Sequence, residues 1–173
     1  MPTRTQKLLR WAWRLLGLLA AMGLAVLAAG RLGAFAGQAP SDLGVVNGQL
    51  RAPSATPNSV SSQADQHPDH PQRAYARVDP LPARGLSARD ALDHLESALA
   101  DIDGLVVRRR GADYLHAEAH TRWMGYVDDL EFWFNAEQQV LEVRSASRLG
   151  RRDFGVNRTR LAAVRAAYQR RLP

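Results

Sequence analysis

Three short stretches within residues 114–149 alternate apolar and charged side chains. Successive residues of a strand point to opposite sides of a sheet, so this alternation assigns each side chain to a face. In residues 114–123, His116, Glu118, His120 and Arg122 share one face, and Leu115, Ala117, Ala119 and Trp123 share the other. In residues 127–134, Asp129, Glu131 and Trp133 oppose Leu130, Phe132 and Phe134. In residues 140–149, Glu142, Arg144 and Arg148 oppose Leu141, Val143 and Leu149. A sheet of such strands packs one face on helices and carries His, Glu, Asp and Arg from three strands on the other.

The flanking sequence supplies those helices. Ser87 is placed to cap a helix, with Asp90 three residues on and Leu86 before it, and Leu92, Leu95, Leu99 and Ile102 recur at helical spacing. Gly104 suits the left-handed end of that helix. Residues 105–110 form a fourth strand candidate, and the short connections at 111–113, 124–125 and 135–138 imply an antiparallel meander. Asn157 reads as the cap of a last helix that aligns Leu161, Val164, Tyr168 and Leu172. The order helix, four strands, helix predicts an α+β fold with helices on one face of a curved sheet.

Charge is unevenly distributed. Lys and Arg number 23 against 17 Asp and Glu, but residues 1–36 hold Arg4, Lys7, Arg10, Arg14 and Arg31 and no acid. Residues 37–143 carry 9 basic and 16 acidic side chains, and residues 144–173 carry 9 basic and 1 acidic. Two adjoining segments of opposite sign predict internal neutralisation on folding rather than an uncompensated basic face for nucleic acid. The chain has no cysteine, which removes disulfides, thiolate metal sites and cysteine nucleophiles.

Residues 15–30 are apolar behind a basic flank. Sixteen helical residues span roughly 24 Å, and Arg14 and Arg31 can snorkel, Trp11 and Trp13 suit the interfacial belt, and residues 32–35 prolong the apolar run. The cation excess before the run predicts a single pass of the inner membrane, N-terminus cytoplasmic and domain periplasmic. The alternative is a signal sequence cleaved near Ala36, where the sequence reads AFAG, with release to the periplasm. The organisation expected is a membrane segment in residues 1–36, a Pro- and Ser-rich irregular arm in 37–84 that docks on the domain, and an α+β core in 85–173.

Several clusters carry possible chemistry. His116, Glu118 and His120, with Asp129 or Glu131, could converge on a metal ion. Arg122, Arg144 and Arg148 share their face, however, and mixed signs favour a salt-bridge lattice, so no metal is assigned. His116 with Glu118 or Asp129 is also the candidate acid/base group. DQHPDH at residues 65–70 reads as an exposed loop. VRSASRLGRRDFGVNRTR at residues 143–160 places a glycine-containing turn between strand and helix, a setting that can bind an anion through backbone N–H groups and arginines, although it lacks nucleotide-loop spacing.

TPNSVSSQA at 56–64, YLHAEAHTRWMGYVDDLEFWF at 114–134 and the arginine-rich block at 143–160 together resemble the domain of unknown function 1499 family, over a span from about Leu43 to the C-terminus. The resemblance implies that the arm belongs to the domain. It marks Asn58, Ser61, Ser62, His116, Glu118, Asp128, Asp129, Arg144, Ser145, Ser147, Arg148, Asp153, Asn157 and Arg158 as motif positions, and leaves His120 outside the pattern. Family members usually carry Cys where this chain has Pro53 and Ser59. Loss of both fits a pair that normally crosslinks, and it argues against a cysteine-dependent activity.

The function expected is non-enzymatic: a membrane-anchored extracytoplasmic domain that binds a small anionic ligand, a lipid headgroup or an envelope protein partner. Arg144, Ser145, Ser147, Arg148, Asn157 and Arg158 are the candidate binding residues, and Asn58, Ser61, Ser62, Asp128 and Asp153 are structural. The membrane is contacted through residues 8–36, and neither nucleic acid nor a cofactor is expected. The alternatives are a hydrolase using His116 with Glu118 or Asp129, with or without a metal, and a structural envelope protein.

Overall fold

In the computed structural model, which describes residues 3–173, the alternating stretches form neighbouring antiparallel strands. Helix α1 (Arg4–Arg31) leads into an arm containing β1 (Ser59–Ser61), the short helix α2 (Arg73–Ala76) and β2 (Leu81–Pro82). Helix α3 (Ala88–Ala100) precedes β3 (Leu105–Arg110), β4 (Tyr114–His120), β5 (Val127–Asn135) and β6 (Val140–Ser147), and α4 (Val156–Gln169) closes the chain. The sheet is six-stranded in the order β1-β6-β5-β4-β3, with β2 also paired to β6. The molecule is therefore mixed α+β.

The meander expected from the sequence is present, and the arm adds two strands that the sequence did not reveal. Both pair antiparallel with β6: Ser59, Val60 and Ser61 lie opposite Ala146, Ser145 and Arg144, and Leu81 lies opposite Leu141. Three and two residues are too few for a period-2 pattern to register, and Pro82 in a strand is tolerated only at an edge.

The apolar face forms the core. Leu92, Leu95 and Leu99 of α3 and Leu161, Val164 and Tyr168 of α4 pack on Leu115, Ala117, Leu130, Phe132, Leu141 and Val143. Each fully buried Leu or Phe contributes about 1.5–3 kcal/mol by leaving water, so this layer supplies most of the folding drive. Ser87 caps α3 as expected, its Oγ accepting from Asp90 N at 3.2 Å. Gly104 takes the left-handed conformation, φ 81°.

Three local expectations are corrected. Trp123 and Leu149 do not join the inner face: they are 61% and 43% exposed, because β4 ends at His120 and β6 at Ser147, before either is reached. Asn157 does not cap α4. Gly155 is the capping position, and the Asp153 carboxylate supplies the missing acceptors, taking Gly155 N at 3.0 Å and Asn157 N at 3.1 Å. Residues 32–35 do not extend α1, which stops at Arg31 and gives way to turns.

Helix α1 is long and apolar enough to cross a membrane by length and composition, with a mean hydropathy of 1.9 over its best window and none of that window buried. The Arg14 guanidinium lies 5.5 Å from the Trp11 ring centroid, a cation–π contact at the basic end.

Tyr168 gives a test of the core. Its side chain is buried, burial pushes its hydroxyl pKa up to about 12, and that hydroxyl has no partner among the described residues. A desolvated, unpaired hydroxyl costs about 1–3 kcal/mol. Tyr168→Phe is therefore expected to leave the urea unfolding midpoint unchanged or raise it; a marked fall would contradict this packing.

Candidate functional site

Register places the charged residues of three strands in rows. Glu118 of β4 lies opposite Asp129 of β5, which lies opposite Ala146 of β6; the next row is His116, Glu131 and Arg144. Directly opposed residues have Cβ atoms about 4.5–5.5 Å apart, so the second row brings Glu131 against Arg144, whereas the first sets two carboxylates side by side and needs a cation from elsewhere.

Arg148, just past the end of β6, joins the first row. Its Nε donates to Asp129 Oδ2 at 2.8 Å, and its Nη2 donates to Asp129 Oδ1 at 2.7 Å and to Glu118 Oε1 at 2.5 Å. The second oxygen of Glu118 accepts from Arg108 at 2.7 Å and meets His120 Nε2 at 3.1 Å. His116 Nε2 lies 2.9 Å from Asp129 Oδ1. An ionised carboxylate only accepts, so that ring nitrogen carries the proton. Bidentate guanidinium–carboxylate contacts of this kind are the strong, geometrically specific ones.

The electrostatics follow. Burial pushes the Asp129 and Glu118 carboxyls up, but hydrogen bonds from Arg148, aided by His116 at Asp129 and Arg108 at Glu118, leave both below their ordinary values of 3.8 and 4.5. The Asp129 carboxylate pushes Arg148 higher still, against the opposing effect of burial. A carboxylate held ionised in this way is a poor proton acceptor near neutral pH, so neither Asp129 nor Glu118 is suited to be a general base itself. Among the described residues, no three His, Asp or Glu side chains converge as a metal cage. DQHPDH disperses: Asp65 pairs with Arg73 and Arg77, and His70 Nδ1 accepts from Gln72 N.

The second row is covered by the arm. Glu131 is fully buried and accepts from Gly44 N at 2.9 Å, Tyr114 Oη at 2.8 Å and Arg144 Nη1 at 3.2 Å. Ser62 donates to Glu142 at 2.5 Å, and Gln63 ties Leu50 N and Gly48 O. Between arm and sheet remains a pocket of about 300 Å³, bordered by Arg51, Ser54, Asn58, Asp129, Arg144 and Arg148. Arg144 is buried, its Nε has no partner among the described residues, and Asn58 Oδ1 is equally unpaired. Burial holds Arg144 below its ordinary pKa; Glu131 works against this and the like charge of Arg51 adds to it.

The predicted site residues thus separate into groups. His116, Glu118, Asp129 and Arg148 form one cluster, and Asn58, Arg144 and Ser147 border the same pocket. Ser145 and Asn157 meet at 2.5 Å on the helix side of the sheet, where Asp128 pairs with Arg160. Arg158 lies apart, donating to the backbone of Tyr75 and Arg77, and Asp153 accepts from the Tyr75 hydroxyl. Ser61 Oγ accepts from Gln63 N. Arg51 was missed because it sits in an arm without periodicity. Ser59 Oγ accepts from Ser54 N at 2.7 Å, so a hydrogen bond closes that stretch of the arm.

A carboxyl pKa lowered by folding stabilises fully above its unfolded value, and that stability is lost as pH falls through the folded value. Unfolding free energy is therefore expected to be flat near neutrality and to fall in acid below the ordinary carboxylate values of 4.5 and 3.8. Arg148→Met, which takes the guanidinium from the buried Asp129 and the partly buried Glu118 and leaves them to His116 and to Arg108 and His120, should cost roughly 3 kcal/mol at pH 7. That deficit should shrink in acid, as protonation relieves the stranded charges; urea titrations of both proteins from pH 3 to 8 check this.

Comparison with curated proteins and with solved structures finds no match. The family described as "Protein of unknown function (DUF1499)" matches residues 49–168, which take in β1, the whole meander and nearly all of α4. With most of its length covered, including every residue of the charged cluster, the chain belongs to that family.

Proposed function

We propose that the chain is a membrane-anchored, extracytoplasmic binding module that holds a small anion in the pocket between arm and sheet. The observation that carries the reading is Arg144. A buried guanidinium with a single 3.2 Å carboxylate contact and an unpaired Nε is under-compensated. Two further arginines border the same pocket, Arg51 paired with Asp42 at its exposed side and Arg148 paired with Asp129. Buried charges need both counter-charge and filled hydrogen bonds. An oxyanion beside Arg51 and Arg144 supplies both.

Asn58 Oδ1 narrows the class, because it needs a donor. A singly protonated phosphate or phosphate monoester offers anionic oxygens to the arginines and one O–H to Asn58. A cavity of about 300 Å³ lies at the small end of ligand pockets and suits a headgroup-sized group. The anchor places this pocket beside a bilayer, so the phosphate can come free from solution or as a lipid headgroup.

Thermal unfolding of the full chain in neutral detergent tests the reading. Inorganic phosphate is expected to raise the midpoint, by about 2.7 kcal/mol of stability at a hundredfold excess over Kd. Chloride at matched ionic strength should do nothing, and Arg51→Ala, which alters a half-exposed side chain, should abolish the phosphate response while leaving the unliganded midpoint nearly unchanged. A response to phosphatidic acid in the micelle but not to inorganic phosphate would identify the lipid source. No response to either would overturn the proposal.

A further inference from the structure

The exit of α1 is not a free tether. A methyl group added at Gly30 would lie 2.5 Å from the Met124 carbonyl oxygen, and one added at Gly125 would lie 2.2 Å from the Gly30 carbonyl oxygen, so the two backbones touch. The Phe35 and Tyr126 rings stack with centroids 5.6 Å apart, and a methyl at Gly37 would come 2.8 Å from Arg148 Cβ. Residues 30–37 are thereby fastened to the same end of β4, β5 and β6.

That end of the domain is unusually apolar for a surface. Leu32 is 88% exposed and Phe154 92%, beside the exposed Trp123 and Leu149. An open recess of about 520 Å³ runs between Phe35, Tyr126, Leu149, Phe154 and Val156. Phe154 is not a loose tip. It has a left-handed φ of 52°, and the neighbouring Asp153 side chain accepts from Tyr75, Gly155 N and Asn157 N, which fixes the loop that displays it. Arg31, Arg122, Arg151 and Arg152 are exposed around these side chains and form no ion pairs among the described residues. The Arg122 guanidinium lies 5.3 Å from the Trp123 ring centroid.

Depth decides what covers this surface. The apolar run of α1 ends at Gly30 and is followed by Arg31, so its last turn lies at the edge of the hydrocarbon if the helix spans. The 121–125 turn packed on Gly30 must then lie at the same depth. Tryptophan, phenylalanine and leucine with a rim of arginines is the composition of an interfacial layer, with the apolar parts among acyl chains and the cations at the headgroups.

We propose that this end of the domain, with Trp123, Leu149 and Phe154 inserted and Arg122, Arg151 and Arg152 at the phosphates, lies in the outer leaflet of the bilayer that α1 crosses. The proposal rests on the anchor reading above, and the test separates the two. The absence of cysteine allows single labelling sites. Trp123→Cys and Phe154→Cys alter exposed side chains and leave the core intact. Gln138→Cys, in the turn at the far end of β5, and Leu19→Cys, midway along α1, are the controls.

Each full-length variant carries a nitroxide and is reconstituted into vesicles of phosphatidylethanolamine and phosphatidylglycerol. Collision rates with oxygen and with a water-soluble nickel chelate report depth. The expected result is lipid-like accessibility at 19, 123 and 154 and aqueous accessibility at 138. Lipid-like accessibility at 19 with 123 and 154 as aqueous as 138 overturns the interfacial placement and leaves the anchor standing. Aqueous accessibility at 19 overturns both.

Discussion

The bidentate grip of Arg148 on Asp129, with Glu118 on the same guanidinium, organises the polar side of the sheet. Three charged side chains that are nearly removed from water tolerate one another only because each closes the others' hydrogen bonds. The arrangement requires β4, β5 and β6 in one register, since a slip by one residue would send every carboxylate to the helix side. It also explains the charge asymmetry of the chain. Acids of the meander are met by basic residues of the C-terminal segment, Glu131 by Arg144, Asp128 by Arg160, and Asp129 and Glu118 by Arg148, while Arg171 meets Asp101 at the end of α3. Arg158 and Arg165 instead hold backbone carbonyls of the arm.

A sheet with charge on one face ordinarily leaves that face to water. Here the arm crosses it, and Gly44 N, Ser62 and Gln63 bind inside what would otherwise be solvent. The arm thereby creates a low-dielectric layer in which paired charges hold firmly and unpaired ones are costly. Glu131 is satisfied within this layer by three donors. Arg144 is not, and that difference is the physical basis for assigning the pocket to an anion. The proposed anchor and the interfacial end of the domain would set that pocket at a defined height above the lipid.

The face assignment of the central strands was legible because period-2 alternation survives wherever one side is apolar, and Leu115, Leu130, Phe132, Leu141 and Val143 all lie where it put them. Trp123 and Leu149 show its limit: alternation does not state where a strand stops, and by two or three residues past the end the rule no longer applies. The cluster of His116, Glu118, Asp129 and Arg148 could be read from the same alternation. Arg51, Gly44 and Gln63 could not, since their positions depend on how an aperiodic arm folds back across the sheet. Asn157 misled for a related reason. Its residue type suits a cap, but tertiary contacts with Ser145 and Asn58 claim its side chain, and Asp153 takes over the cap.

The internal compensation of charge is tested most directly by a double-mutant cycle between Arg148 and Asp129, with Arg148→Met, Asp129→Leu and the pair measured by equilibrium unfolding at pH 7. Each single substitution strands a buried charge, whereas the double removes both, so the double should be far less destabilised than the sum of the singles. Coupling of about 2 kcal/mol or more is the predicted result. Additive effects would show that the two charges do not depend on each other, and the account of the sheet's polar face would be wrong.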